Sequence, residues 1–339
     1  MSSTLLIRAP DRVGELVMAT PVFAAALESP RYERVRIAVE ADLTPVLEGS
    51  RWAEHLLLVE GGSSEVRTLR SAGADAALLL DESSGAAWRG WRAGIPIRAG
   101  VSSGWRRPFL THRVVPARRA GRRWPVPTAH LYRDLAGLVG LEVADLHPRL
   151  AVSDERRARA RAALARVGVV GEPYLVCCPG AAFGSSGLWP PERFAAAIDQ
   201  ASELHGLRAV VTGAPTEAGV VEAILRHTRT DAVAPPEGDL GLANLSAWIE
   251  GARLLLAGDS GPRWVAAAFD VPCVHVMGPE PPELTASSLE RARIVRRDDL
   301  PCSPCSESRC PLGHRACMTE LPVERVVDAA TELLAEANA

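Results

Sequence analysis

The run Leu254-Leu-Leu-Ala-Gly-Asp259-Ser260-Gly261 is followed at once by a helix rich in small residues, expected over Gly261–Phe269. An apolar strand thus delivers a tight turn to a helix start. Free backbone N–H groups and the positive end of the helix dipole converge there, which suits a phosphate. A second loop, Val176-Cys-Cys-Pro179-Gly180-Ala181-Ala182-Phe183-Gly184-Ser185-Ser186-Gly187, leads from an apolar strand into a helix with proline near its first turn. It is either an ordinary strand–helix connection or, through Gly180, Ala181, Ser185 and Ser186, a wall for nucleotide phosphates. Glu217, at the end of Thr212-Gly213-Ala-Pro-Thr, either caps the following helix or accepts hydrogen bonds from ribose hydroxyls.

Glu15 follows Arg8-Ala-Pro-Asp-Arg-Val-Gly14 at the start of another helix. The helix dipole favours a carboxylate there by about 0.3–1 kcal/mol; the alternative role is that of a general base. This turn lacks the three-glycine spacing of the dinucleotide fingerprint, which argues against NAD or FAD. The chain contains no lysine, so all 38 basic positions are arginine and lysine Schiff-base chemistry is excluded. The loop Trp105–Pro127 concentrates Arg106, Arg107, Arg113, Arg118, Arg119, Arg122 and Arg123, interleaved with Trp105, Phe109 and Trp124. It is either a solvated insertion or a surface for an anion, since arginine forks match carboxylates and phosphates and the rings suit sugar faces or lipid. Cys302-Ser-Pro-Cys305 has a metal-ligand spacing, and Cys310 and Cys317 follow, with His314 between them. A structural zinc site and a metal-free thiol cluster are both open readings.

These residues need a frame, and the alternation of apolar runs with helical patterns supplies one. Strands are expected at Leu5–Arg8, Val35–Val39, His55–Val59, Ala76–Leu80 and Pro96–Ala99, with helices at Glu15–Leu27, Glu65–Ser71 and Pro127–Val139. A second set has strands at Tyr174–Cys178, Ala209–Thr212, Leu254–Ala257, Cys273–Met277 and Arg293–Val295. Its helices are Pro191–Leu204, Glu217–His227, Leu245–Gly251 and Gly261–Phe269. This pattern means an α/β fold with two parallel sheets, read as two Rossmann-like domains facing a cleft. The domains are expected over residues 1–152 and 153–320, with a terminal helix in 321–339. A composition 47% hydrophobic and 23% charged belongs to a globular protein with a full core, and a net charge of -3 implies no general affinity for nucleic acid. No signal peptide and no membrane-spanning run is apparent, so a cytoplasmic protein with reduced cysteines is expected.

With these residues placed, the chain resembles glycosyltransferase family 9, the heptosyltransferases of lipopolysaccharide core assembly. The resemblance is carried by Gly14-Glu15-Leu-Val-Met-Ala-Thr-Pro21, Pro179-Gly-Ala-Ala-Phe-Gly184 with Trp189-Pro-Pro-Glu-Arg-Phe194, and Asp259-Ser-Gly-Pro262. The segment Cys302–Met318 resembles the heptosyltransferase II type in particular. The resemblance implies a GT-B arrangement whose terminal helix packs back on the first domain. It implies an inverting transfer that needs no metal, from a nucleotide-diphospho sugar, ADP-heptose, to a lipid-anchored anionic glycan at the inner membrane surface, with the enzyme peripheral on that membrane.

Carried over by position, Glu15 takes the place of the family's catalytic aspartate. Glu217 meets the donor ribose, and Asp259, Ser260 and Gly261 meet the diphosphate. Arg106, Arg107, Arg113 and His130 fall to the acceptor. Gly187 stands where the family usually has lysine, and Trp264 where it has histidine, so Arg263 is expected to supply replacement charge. These substitutions keep two alternatives open: a member that binds a nucleotide or glycan without turnover, and an enzyme for a different nucleotide sugar.

Overall fold

The computed structural model describes residues 3–119, 122–182 and 184–338, and it divides into two compact units, Met1–Ala151 and Val152–Ala339. Phe183 lies outside the described residues, as do the side chains of Arg119 and Arg122.

The first unit runs β1 (Thr4–Arg8), α1 (Val13–Met18), α2 (Thr20–Glu28), β2 (Arg34–Glu40), β3 (Leu56–Val59), α3 (Gly62–Ser71), β4 (Ala76–Leu79), α4 (Ser84–Arg92), β5 (Ile97–Val101) and β6 (His112–Val114). A small ribbon of β7 (Arg118–Arg119) and β8 (Arg122–Arg123) follows, then α5 (Thr128–Gly137). Its sheet is parallel throughout, in the order β3-β2-β1-β4-β5-β6. β1 and β4 are buried along their whole length, which is why they read as unbroken apolar runs.

The helix expected over Glu15–Leu27 is two helices. Pro21 has no N–H for the carbonyl of Val17, and the Thr20 hydroxyl donates to that carbonyl at 2.7 Å. The break between α1 and α2 thus keeps its polar groups satisfied while the chain bends.

The second unit runs α6 (Asp154–Arg166), β9 (Tyr174–Cys178), α7 (Pro191–His205), β10 (Arg208–Val211), α8 (Ala218–His227), α9 (Leu242–Glu250), β11 (Leu254–Ala257) and α10 (Pro262–Ala268). It closes with β12 (Cys273–Val276), β13 (Ala292–Val295), α11 (Ala316–Thr319) and α12 (Val323–Asn338). Its sheet is also all parallel, in the order β10-β9-β11-β12-β13. The core on one side joins Leu175, Phe194, Ile198, Leu256 and Val274 to Val326, Ala330 and Leu333 of α12. For the terminal helix, expected to pack back on the first domain, the structure gives a place in the second unit, against α7, β12 and β13.

Both strand orders reverse direction once. The reversal falls between β1 and β4 in the first sheet and between β9 and β11 in the second. Loops leaving the carboxyl ends of such neighbours run to opposite faces and open a crevice, the usual ligand site of doubly wound sheets.

Candidate functional site

At the reversal of the first sheet, the loop after β1 is anchored by a buried arginine. Arg8 donates from Nε to Glu65 Oε1 at 2.9 Å, from Nη2 to Glu40 Oε1 at 3.0 Å and from Nη1 to the Ala9 carbonyl at 2.8 Å. Asp81, just past the end of β4, lies 3.6 Å from the same guanidinium, and Arg89 reaches the other oxygen of Glu65 at 2.9 Å. Arg8 and Glu65 are wholly buried, so each charge depends on the other.

This network holds the segment that delivers Glu15 in the first turn of α1. Glu15 is half-buried, and burial pushes its carboxyl above the ordinary glutamate value. Arg12 opposes that rise, whereas Asp11, Glu82 and Asp81 add to it. Tyr132 on α5 is buried; burial raises its phenol well above the usual value, and the charges of Glu15, Glu82 and Asp81 add to the effect. Arg123 grips Glu82 with both nitrogens, at 2.7 and 3.0 Å, and so ties the β7–β8 ribbon to the end of β4.

Of the arginines expected to face an acceptor, Arg107 and Arg113 are exposed. Arg106 is enclosed. Among the described residues its three side-chain nitrogens have no hydrogen-bond partner, and Nη2 would lie 3.2 Å from a Cβ at Gly100. Burial lowers the Arg106 pKa, while Asp81 and Glu82 act the other way. His130 is half-buried on α5.

The corresponding end of the second sheet is built mainly from backbone. Gly258 donates to the Cys178 carbonyl at 2.9 Å, and Ala182 donates to the Asp259 carbonyl at 2.9 Å, so the loops after β9 and β11 are cross-tied. A Cβ at Gly258 would sit 2.4 Å from the Gly180 carbonyl oxygen, and one at Gly180 would sit 1.9 Å from Glu217 Oε1. At Gly258 the opposing atoms are backbone, so only glycine fits there, whereas a side chain at Gly180 would require the Glu217 carboxylate to move. Glu217 accepts from the Ala214 N–H at 2.8 Å, so the capping role is realised while its other oxygen abuts Gly180.

The structure therefore brings together Gly180, Ala181, Glu217, Asp259, Ser260 and Gly261. Ser185 is exposed beside them, and the Ser260 hydroxyl contacts the Gly258 carbonyl at 3.4 Å. Ser186 is buried and faces elsewhere: its hydroxyl donates to the Glu307 carbonyl at 2.5 Å, in the cysteine-bearing loop.

Beneath the turn lie polar groups that sequence reasoning missed or placed differently. Arg263 is fully buried, stacks on Trp264 with its guanidinium carbon 3.9 Å from the ring centroid, and donates from Nη2 to the carbonyls of Thr285 and Ser287 at 3.0 and 2.8 Å. Burial pushes its pKa down to about 10, opposed in part by the charges of Asp259 and Glu290. Arg263 thus stays charged at neutral pH, and its charge acts from inside the unit.

His275, on β12, is buried with Nε2 3.3 Å from Asp259 Oδ1. Asp259 Oδ2 is buried without a hydrogen bond among the described residues. The one signal for His275 was a histidine inside an otherwise apolar strand. Its partner becomes visible only in the sheet register, where Ala257, two residues before Asp259, pairs with it.

Two other features lie apart from this crevice. A hollow of about 490 Å³ lined by Arg157, Tyr174, Trp248 and Glu250 sits at the amino ends of β9 and β11, the wrong end of the sheet for the ligand site just described. Cys302, Cys305, Cys310 and Cys317 are half-buried free thiols. Among the described residues no group of three or more His, Cys, Asp or Glu side chains is arranged to hold a metal. Burial raises the Cys317 thiol and the other three cysteines add to the rise, whereas backbone N–H groups of residues 312–315 lower Cys310.

Comparison with known proteins adds a family. The model of glycosyltransferase family 9 (heptosyltransferase) matches residues 64–316. Lipooligosaccharide heptosyltransferase 2 of Campylobacter jejuni is 30% identical over 169 residues, 48% of this chain and 52% of that protein, so the match spans about half the length of that relative. Among solved structures, Escherichia coli ADP-heptose lipopolysaccharide heptosyltransferase II aligns over 99% of this chain and 100% of its own, with a TM-score of 0.77 and 23% identity. An E. coli heptosyltransferase solved with ADP aligns over 99% of this chain and 100% of its own, with a TM-score of 0.68 and 17% identity. These two similarities show a shared fold.

Proposed function

The chain belongs to glycosyltransferase family 9, and from that premise we propose that it transfers a heptose from ADP-heptose to a lipopolysaccharide core glycan with inversion at the anomeric carbon. The second unit holds the donor. Its diphosphate docks on the Asp259–Gly261 turn and the Gly180–Ser185 loop, with the ribose towards Glu217. α10 is only two turns long, so the backbone N–H groups of the turn matter more than the helix dipole. The buried Arg263 guanidinium offsets the charge that grows on the leaving diphosphate, a kind of stabilisation worth about 3 kcal/mol per group in other enzymes.

The first unit receives the acceptor, a lipid-anchored anionic glycan met by Arg107, Arg113 and His130. The acceptor oxygen forms its bond to the anomeric carbon as the bond from that carbon to the phosphate oxygen breaks. ADP leaves with the electron pair, and the hydroxyl proton passes to Glu15. A carboxylate with a raised pKa is the better base for this step. The scheme uses only the chain's own side chains and backbone, and its acceptor locates the work at the cytoplasmic face of the inner membrane.

The observation that carries the reading is the glycine-lined cross-tie between the loops after β9 and β11 at the reversal of strand order. Two findings favour a second reading, binding without turnover. Gly187 and Trp264 are both buried, and neither supplies a charged or titratable side chain. Calorimetric titration with ADP, paired with a transfer assay using ADP-heptose and core glycan, separates the two. Binding with transfer supports the enzyme, binding without transfer supports the second reading, and no binding of ADP overturns both donor assignments. Transfer from another nucleotide sugar alone would retain the chemistry and change the donor.

A further inference from the structure

Between Ser83 and Arg133 the chain has eleven arginines and no acidic residue, so all 41 acidic side chains lie outside this stretch. The same stretch holds four of the eight tryptophans: Trp88, Trp91, Trp105 and Trp124. Burial divides the two sets without overlap. Trp52, Trp189, Trp248 and Trp264 are 1–5% exposed, whereas Trp88 is 40%, Trp91 47%, Trp124 43% and Trp105 85% exposed. Indole is among the costliest side chains to leave in water, so four such exposures within one segment mark a surface made for contact.

Three of the exposed indoles, Trp88, Trp91 and Trp105, have a common base. Trp88 and Trp91 are three residues apart on α4 and share a face. Trp105 and Phe109 belong to the 3-10 helix Gly104–Phe109, which packs on α4, with the Trp91 and Phe109 rings 5.6 Å apart. Arg92 lies over the Trp88 ring at 5.8 Å. Arg92, Arg107 and Arg113 are exposed, as is Val115.

We propose that the α4 face and the adjoining 3-10 helix dock on an anionic lipid surface, with the indoles at headgroup depth and the arginines on lipid phosphates. Two features select this occupant. Indole and guanidinium together match the boundary between hydrocarbon and phosphate, where one end of a side chain is apolar and the other wet. A second copy of the chain fits poorly, because a symmetric pairing sets arginines against arginines with no carboxylate in the segment to answer them. The choice of lipid rests on the lipid-anchored acceptor proposed above; the surface itself rests on exposure and charge alone.

The test is sedimentation of the full chain, without donor or acceptor, with vesicles of phosphatidylglycerol and phosphatidylethanolamine and with vesicles of phosphatidylcholine. Wild type is expected to pellet with the anionic vesicles, to be released by salt, and to stay in solution with the neutral ones. Trp88→Ser/Trp105→Ser is expected to lose at least tenfold in partitioning with its thermal unfolding unchanged, both rings being exposed. Three results would each overturn the proposal. One is equal partitioning by the double variant. Another is wild type left in solution, whether monomeric, held as a dimer that the double variant breaks, or bound to single-stranded RNA. The third is indifference to lipid charge. Vesicle binding by a protein that proves unable to transfer heptose would leave this surface standing and sink the reaction, and the reverse result would do the opposite.

Discussion

The carboxyl ends of the two sheets are built from different materials. In the first unit long side chains do the holding: Arg8 bonds Glu65, Glu40 and Ala9, and Arg123 clasps Glu82 beside the acidic group around Glu15. In the second unit the backbone does the holding, through Gly258 against Gly180 and the bond from Ala182 to the Asp259 carbonyl. Ionisable groups tune a proton's affinity, which suits a base. Close backbone approach leaves room and N–H groups, which suits a phosphate. The contrast teaches that each edge is specialised before any ligand arrives, and it breaks differently at each edge.

Glu15→Gln should give the largest effect. A positioned base contributes roughly 10²–10⁴-fold, so the transfer rate should fall by that factor while calorimetric ADP affinity stays within twofold of wild type. Loss of ADP binding in this variant would erase the division of labour between the edges.

Glu65→Ala takes the carboxylate from Arg89 and leaves Arg8 only Glu40 and Asp81. Breaking a buried pair from one side costs about 3–5 kcal/mol, to be read by chemical denaturation. Gly258→Ala tests the other edge. Overpacking a tight site costs about 1–3 kcal/mol, and here it should appear chiefly as at least tenfold weaker ADP binding, because the added Cβ meets the Gly180 carbonyl. If Gly258→Ala bound ADP like wild type, the backbone account of the second edge would be wrong.

The pH profile sharpens the first edge further. As the proposed base, Glu15 would work only when ionised, so activity should fall as pH drops through its raised pKa, giving an acid limb above the ordinary glutamate range. Glu82→Gln removes a charge that raises this pKa and should shift the limb to lower pH, whereas Arg12→Gln should shift it upward. Unmoved limbs in both variants would assign the profile to another group.

The smallest effect concerns the thiols. Cys310, lowered by backbone N–H groups, should react first with iodoacetamide in the folded protein. Cys177, Cys178 and Cys273, buried and raised, should react only after unfolding, as mass spectrometry would show.

Most of the frame was legible because parallel strands buried on both faces are written as continuous apolar runs. β9 and β11 occupy Tyr174–Cys178 and Leu254–Ala257, the stretches the pattern indicates. α4 was not legible: Gly85 and Gly90 weaken its helical propensity, and its two tryptophans face water rather than a core. The bend before Pro21 was hidden by an apolar pattern that continues across it.

At the site, the turns and Glu15 were visible because strand ends and helix starts have local signatures. Arg8 with Glu65, and Asp259 with His275, were not, since each pair is joined only by the fold, 57 and 16 residues apart in sequence. Ser186 belonged to a loop whose type was legible, but its orientation depends on Glu307, far along the chain.

The contact between Gly258 and Gly180 also limits how this protein can diversify. Where two main chains touch, no replacement side chain can reshape the wall. On the proposed donor assignment, a lineage that acquired a new sugar nucleotide would have to do so from the rim, at positions such as Ser185 or Glu217, leaving the floor of the crevice as an inherited constant.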